Sequence, residues 1–206
     1  MLDFTVTITR GFGSGGRTIG KMLAERLSIP YYDKDLIKFA SEESGINEAL
    51  FSKADESKRY SLFKRYDRSF GDQLISPESG EFTSDDNLFN YQARVIKQLA
   101  DSEDCVIIGR CADYVLRDHP RVLRVFTHAP MDFCIEQVVR LYGVNEREAQ
   151  RQIERIDRAR STYYRYYTGV EWDNARNYDL CLNTKELGFE RCVDIIEHYI
   201  NVLYKS

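Results

Sequence analysis

The chain alternates short apolar runs with longer amphipathic segments. Apolar runs with the length and composition of buried strands fall at residues 4–9, 29–32, 105–108, 122–126 and 178–182. Between them, apolar residues recur at helical spacing, which predicts helices over residues 15–27, 33–43, 88–100, 131–141, 146–160 and 189–203. Strands that alternate with helices are typical of an α/β fold with a mostly parallel sheet.

Several of the predicted strands end in polar residues that are able to bind a ligand. Sheets of this kind bind ligands at the carboxyl ends of their strands, outside the layers of crossover helices. In this chain those ends carry residues 10–18, 33–35, 109–113 and 183–184. We therefore expect these segments to lie together at one edge of the sheet.

Residues 44–87 interrupt the alternation of strands and helices. The segment is polar and charged, and it is too long for a plain connection within a compact domain. We predict an inserted lobe that is partly helical and mobile. The chain of 206 residues, 43% of them hydrophobic, suffices for one globular core, so residues 1–206 are predicted to be a single domain.

Charge and hydropathy exclude several classes of partner. The net charge of −4 argues against a basic surface for DNA. No apolar run approaches the roughly 20 residues that span a bilayer, and no secretion signal is recognisable, which predicts no membrane partner. The five cysteines are scattered and form no C-x-x-C motif, which is typical of reduced thiols in a cytoplasmic protein.

The stretch TRGFGSGGRT, at residues 9–18, follows the first predicted strand and precedes the first predicted helix. Its glycines allow an anion to approach the backbone closely, and the start of the helix adds partial positive charge. The stretch fits the phosphate-loop pattern G-x-x-x-x-G-K-[ST] at every defined position except the lysine. The predicted nucleotide-binding residues are Gly11, Gly13, Ser14, Gly15, Gly16, Arg17 and Thr18, with the Thr18 hydroxyl as a ligand of Mg²⁺.

Arg17 stands where the pattern has lysine. A planar guanidinium can neutralise and bridge phosphates, but it is wider than an ammonium and is less suited to following a phosphoryl group in transfer. Phosphate binding is therefore better supported than fast phosphoryl transfer. A tight strand-to-helix turn that binds no ligand is the alternative interpretation.

Three blocks of sequence together resemble the cytidylate kinase-like family, a branch of the phosphate-loop (P-loop) nucleoside monophosphate kinases. They read GFGSGGRTIGKMLAERLSIPYYDKDLI, CVIIGRCADYVL and IDRARSTYYRYYTGVEWDNARNYDLCLNT, and the resemblance covers nearly the whole chain. It implies a three-layer α/β/α P-loop kinase fold with five parallel strands in the order 2-3-1-4-5. It also implies an acceptor-binding lobe at residues 44–87 and a lid within residues 145–175.

The resemblance further implies which residues bind the two substrates. The glycine-rich stretch would bind ATP with Mg²⁺, and Asn183 and Thr184 would lie where the chain passes the base. Asp33 and Arg110 would bind a small-molecule phosphoryl acceptor such as CMP, and Asp113, two positions after the cysteine that replaces the family's aspartate, is a further candidate. A helix cap at Asp33 and a structural ion pair at Arg110 are the alternative roles.

The same resemblance implies a set of catalytic arginines. Arg155, Arg158 and Arg160 would close over the phosphates from the lid and act together with Arg17. A solvated helix face that carries salt bridges is the alternative role for the lid arginines. The neighbouring tyrosines at residues 163–167 are candidates for stacking on a base, for packing the lid or for a contact in a homo-oligomer.

The preferred function is thus ATP-dependent transfer of a phosphoryl group to a nucleoside monophosphate. Arg17 in place of lysine, and Cys111 where the family has aspartate, also favour a nucleotide-binding regulatory module without kinase turnover. A kinase of another small metabolite is the third hypothesis, because residues 44–87 are able to form a different acceptor pocket.

Overall fold

The computed structural model describes residues 4–56 and 70–204. They contain a parallel sheet of five strands: β1 (Thr5–Arg10), β2 (Tyr31–Tyr32), β3 (Cys105–Ile108), β4 (Val122–His128) and β5 (Leu180–Asn183). The strand order is β2-β3-β1-β4-β5, and every described pairing is parallel. The predicted α/β fold and its strand order 2-3-1-4-5 are therefore confirmed.

The helices pack on both faces of this sheet. Within the described residues they are α1 (Gly16–Leu27), α2 (Asp35–Ser44), α3 (Glu48–Glu56), α4 (Asp85–Ser102), α5 (Ala112–Val115), α6 (Met131–Tyr142), α7 (Glu146–Thr168), α8 (Thr184–Leu187) and α9 (Phe189–Tyr204). Helices α1 and α9 cover one face, where Val6 and Ile8 of β1 are fully buried. The opposite face packs against α4, α5 and part of α7.

Helix α7 is longer than the sequence pattern predicts, since it continues to Thr168 and not to residue 160. Its first half pairs with α6 around a small core of its own, formed by Cys134, Val138, Ala149 and Ile153. Its second half buries Tyr164 and Tyr167 in the main core. Because these tyrosines follow the earlier buried positions at helical spacing, the helix extends without a break.

The predicted insert at residues 44–87 contains α3 and the start of α4. Ser84 caps α4 by accepting a hydrogen bond from the Asn87 N–H. The Asn87 side chain also accepts from the Ile75 N–H and donates to the Phe82 carbonyl, which holds the preceding segment against α4. Residues 57–69 lie outside the described part of the chain, and the predicted mobility of the lobe stays a prediction.

Two further findings concern membrane-spanning helices and the state of the cysteines. No helix among the described residues has both the length and the apolar character needed to cross a membrane. All five cysteines are free thiols, and only Cys181 is exposed.

Candidate functional site

The glycine-rich loop, residues 11–18, turns the chain from the end of β1 into α1. Gly13 and Gly15 adopt left-handed backbone conformations, with φ of 84° and 81°. A Cβ atom at Gly13 would lie 2.7 Å from the carbonyl oxygen of Cys134, the first buried residue of α6. Glycine is therefore required at this position both by conformation and by space.

Buried hydroxyl groups hold the loop from beneath. The Ser14 hydroxyl donates to the Gly11 carbonyl over 2.9 Å and lies 3.1 Å from the hydroxyl of Thr127. The Thr184 hydroxyl donates to the Ser14 carbonyl over 2.7 Å. Thr184, predicted near the base of ATP, is thus buried under the loop, whereas Asn183 uses its side chain to accept from the Lys185 N–H at the start of α8.

The N-terminus of α1 has the chemistry of an anion site. Gly15 precedes the helix and offers no side-chain cap, and the first turn contains no acidic residue. The N–H groups of the first turn lack partners within the helix, and the helix dipole adds partial positive charge at this end. A phosphate bound in the loop would accept hydrogen bonds from these N–H groups, and its negative charge would be stabilised by the helix dipole.

Arg17 connects the loop to the end of β2. Its Nε lies 2.7 Å from Asp33 Oδ2, and its Nη2 donates to Asp33 Oδ1 over 3.4 Å. The Arg17 side chain is 44% exposed, whereas that of Asp33 is 14% exposed. The structure therefore brings together a residue predicted for the nucleotide site and one predicted for the acceptor site.

Arg10, the last residue of β1, also reaches this edge of the sheet, although the phosphate-loop pattern begins only at Gly11. Its Nη2 lies 3.9 Å from Asp33 Oδ1, at the limit of an ion pair. Burial, followed by repulsion from Arg160, lowers the pKa of Arg10 to about 9, and Asp33 opposes this shift. Arg10 stays protonated at neutral pH, so it adds a full positive charge.

The turn after β3 presents Arg110 to the same edge. Gly109, Arg110 and Cys111 all have positive φ, at 68°, 60° and 55°. Arginine and cysteine rarely adopt this conformation, and backbone strain of this kind is concentrated at functional sites. Burial lowers the pKa of Arg110, and electrostatic interactions with Tyr163 and Asp33 oppose that shift.

Helix α7 contributes an arginine and an aspartate that touch the glycine-rich loop. Arg160 Nη1 donates to the Arg10 carbonyl over 3.0 Å and to Asp157 Oδ1 over 3.2 Å. Asp157 Oδ1 also accepts from the Phe12 N–H over 2.8 Å. Burial lowers the pKa of Arg160 and raises that of Asp157, and each group opposes the shift of the other. The predicted lid arginine Arg160 therefore lies at the loop.

The other predicted lid arginines point away from the loop. Arg155 and Arg158 are exposed, and so are Arg147 and Arg151, which lie on the same face of α7 at helical spacing. These four side chains form an arginine stripe along the helix. Packing of the opposite side of α7, which includes Ile153, leaves this stripe on the solvent side. The structure thus brings Arg160 but not Arg155 or Arg158 to the loop, and their catalytic role stays a prediction.

Asp113, predicted to bind the acceptor, is only 2% exposed. Its Oδ1 accepts from the Thr9 hydroxyl over 3.2 Å, and its Oδ2 accepts from the Tyr164 hydroxyl over 2.6 Å. Burial raises the pKa of Asp113, and the hydrogen bonds from Tyr164 and Thr9 oppose the shift. This carboxyl therefore connects α5, β1 and α7 inside the protein, and a role in binding the acceptor finds no support in its position.

The donor groups available for a metal ion are sparse. No group of three or more histidine, cysteine or acidic side chains that could hold a metal ion occurs among the described residues. Thr18 lies exposed in the first turn of α1, beside the positions where loop N–H groups would bind phosphate. A hydroxyl of this kind, with phosphate oxygens and water, suits the oxygen preference of Mg²⁺.

Solved structures of other proteins share the fold of this chain. An uncharacterized protein from Eubacterium ventriosum matches with a TM-score of 0.72 and 26% identity, over 97% of this chain and 99% of that chain. A shikimate kinase from Bacteroides thetaiotaomicron matches with a TM-score of 0.53 and 17% identity, over 96% of this chain and 98% of that chain. The fold is therefore that of the phosphate-loop kinases.

Sequence comparison gives the family. Residues 5–186 match the cytidylate kinase-like family, and the chain belongs to it. A cytidylate kinase from Methanopyrus kandleri is 25% identical over 98% of this chain and 97% of its own length. Together these findings support a kinase of a nucleotide or another small metabolite.

We expect Gly13→Ala to destabilise the protein more than Gly143→Ala. Both glycines have positive φ, so each alanine incurs the cost of a left-handed conformation, about 1–2 kcal/mol. Only the alanine at position 13 would also meet the Cys134 carbonyl, because Gly143 has open space around its Cβ position. The free energy of unfolding in urea measures the difference. Equal losses for the two variants would contradict the tight contact between the loop and α6.

The raised pKa of Asp113 predicts a pH dependence of stability. As pH rises above about 4, the unfolded state releases the aspartate proton before the folded state does. The wild type should therefore lose stability relative to Asp113→Asn, by up to about 1.4 kcal/mol per pH unit, until the folded carboxyl is also ionised. Urea unfolding of both proteins across this range measures the effect. If the wild type instead gains stability relative to Asp113→Asn as pH rises, Tyr164 and Thr9 stabilise the ionised Asp113 carboxylate.

Proposed function

We propose that the protein is an ATP-dependent phosphotransferase whose acceptor is a nucleoside monophosphate, with CMP as the leading candidate. The observation that carries this proposal is the Arg17–Asp33 ion pair, which joins the glycine-rich loop to the end of β2. This ion pair supports the proposal that the sites for two phosphate-bearing substrates lie next to each other. The name of the Methanopyrus relative supports CMP as the acceptor.

The loop and the first turn of α1 would hold the phosphates of ATP. Gly13 and Gly15 let the backbone bend around the anion, and the N–H groups of the uncapped helix would donate to it. Arg17 is exposed enough to turn from Asp33 toward a phosphate. Mg²⁺ bound at Thr18 would supply charge neutralisation between the phosphate oxygens.

The acceptor would bind on the β2 and β3 side of the loop. Arg110 would hold its phosphate, since the strained turn after β3 presents this guanidinium to the edge of the sheet. Asp33 would accept a hydrogen bond from the acceptor or orient Arg17 against it. Asn183 remains the expected neighbour of the ATP base, whereas Thr184 would support the loop from its buried position through the Ser14 carbonyl.

The proposed reaction needs no covalent intermediate with the protein. An oxygen of the acceptor phosphate attacks the γ-phosphorus of ATP, and the bond from that phosphorus to the β–γ bridging oxygen breaks. The products are ADP and a nucleoside diphosphate, and no proton is transferred when the acceptor phosphate is fully ionised. Arg17 and Arg160 would stabilise the charge on the transferring group, and closure of the lid would exclude water.

A second candidate function is nucleotide binding without turnover. It is favoured by the same ion pair, because an Arg17 that stays bound to Asp33 cannot accompany a phosphoryl group in transfer. The two functions share the loop and differ in the reaction, so a transfer assay separates them.

We expect the protein to transfer label from [γ-³²P]ATP to CMP when nucleoside monophosphates are compared in the presence of Mg²⁺. Arg17→Ala should lower the transfer rate about 100-fold or more, because it removes a charge that faces the transferring group. Arg26→Ala is the matched control on the same helix, since Arg26 pairs with surface acids of α9.

Each result of this assay has a definite meaning. Nucleotide binding without transfer to any monophosphate would favour the regulatory function over the kinase. Transfer that survives Arg17→Ala would contradict the role given to the loop arginine. A protein that binds no nucleotide at all would contradict both functions.

Among the predicted lid arginines, we expect Arg160→Ala to cause the largest loss of kcat, about 100-fold. Arg160 alone of this group contacts the backbone that leads into the loop. Arg165→Ala is the control on the same helix, because Arg165 is exposed and pairs with Glu171. Steady-state kinetics with ATP and CMP measure kcat and KM separately. A loss seen only in KM, or a larger loss for Arg158→Ala, would contradict this assignment.

A further inference from the structure

Arg10 lies between the two proposed substrate sites. Its backbone leads directly into the glycine-rich loop, and its side chain passes beside Gly16, the first residue of α1. A Cβ atom at Gly16 would lie 2.6 Å from the Cβ of Arg10. The guanidinium ends between Asp33 of the acceptor side and the main chain at Gly109.

Two glycines make room for this side chain. A Cβ atom at Gly109 would overlap Nη1 of Arg10, so the end of β3 accepts the guanidinium only because position 109 is glycine. Gly16 provides the same clearance on the side of α1. The backbone on both sides is therefore fitted to a buried arginine.

The electrostatic surroundings of Arg10 are unfavourable in the absence of a ligand. Its side chain is 14% exposed, its Nε has no hydrogen-bond partner among the described residues, and Asp33 is 3.9 Å away. Asp33 is already paired with Arg17 at 2.7 Å. The positive charges of Arg160, Arg17 and Arg110 also act on it. A buried cation with so little compensation is costly unless an anion binds to it.

Resting on the proposed function, we propose that Arg10 binds the terminal phosphoryl group of ATP, the group that is transferred. A phosphate placed between the loop and Asp33 would accept hydrogen bonds from the Arg10 guanidinium. Arg17 and Arg160 would approach the same group from α1 and α7. Arg10 would thereby supply the fixed cation at the phosphoryl group, while the exposed Arg17 remains free to turn.

The test compares Arg10→Met and Arg10→Lys with the wild type by isothermal titration calorimetry. The probes are ADP and the non-hydrolysable ATP analogue with an imido group between its β- and γ-phosphates. We expect Arg10→Met to weaken binding of the analogue about tenfold or more, the worth of one charge-assisted hydrogen bond. Binding of ADP should change by less than about threefold, and Arg10→Lys should fall between the wild type and Arg10→Met.

Thermal unfolding of the unliganded proteins separates a ligand-binding role from a structural one. Removing a buried, poorly compensated charge should leave the melting temperature of Arg10→Met unchanged or raise it. Arg124→Met is the control, because Arg124 is partly buried in the same sheet and pairs with Asp179 through two nitrogens. This variant should lower the melting temperature and leave the preference for the analogue over ADP unchanged.

Several results would overturn the proposal. Equal loss of ADP and analogue binding, or no loss of either, would each remove Arg10 from the transferring group. If the wild type binds neither nucleotide, the proposed function fails by itself, and inorganic triphosphate becomes the probe. Thermal stabilisation by triphosphate in the wild type but not in Arg10→Met would then support Arg10 as a phosphate ligand, and its absence in both would overturn that too.

Discussion

Repulsion among positive charges at the carboxyl edge of the sheet is the main physical constraint on the candidate site. Arg10, Arg17, Arg110 and Arg160 come from four separate parts of the chain and act on one another there. Asp33 is the acid that faces Arg10 and Arg17, while Asp157 is shared between Arg160 and the loop. The helix dipole of α1 adds further positive potential at the same place. This distribution of charge supports the proposal that the described edge binds a ligand with several negative charges.

The fold was predictable because its signals are local. The apolar runs predicted β1, β3, β4 and β5 close to their observed bounds, because each buried strand is a short apolar run flanked by more polar residues. The glycine-rich loop was recognisable for the same reason. Its glycines are required by backbone angles and by close contacts such as that between Gly13 and Cys134, and such requirements act within one turn of the chain.

The rest of the site depends on contacts between distant residues. The sequence pattern predicts Arg10 only as the end of a strand. Its place in the site depends on Gly109, in the turn after β3, almost a hundred residues later. Asp113 looks like a ligand beside Arg110, yet Tyr164 of α7 binds it in the interior. Helical spacing also shows that Arg155 and Arg158 share a face, but only the packing of the opposite side decides that this face meets solvent.

The unbroken course of α7 has a mechanical consequence. The helix is about 35 Å long at 1.5 Å per residue. Along that length it touches the loop through Asp157, the buried Asp113 through Tyr164, and the start of α4 through Tyr166 and Tyr167. Because α7 is an unbroken helix held at these points, a rotation at the end near the loop would also move the end near α4. On the proposed function, a nucleotide bound in the loop would therefore act on the start of α4 through α7, and the two substrates should bind cooperatively.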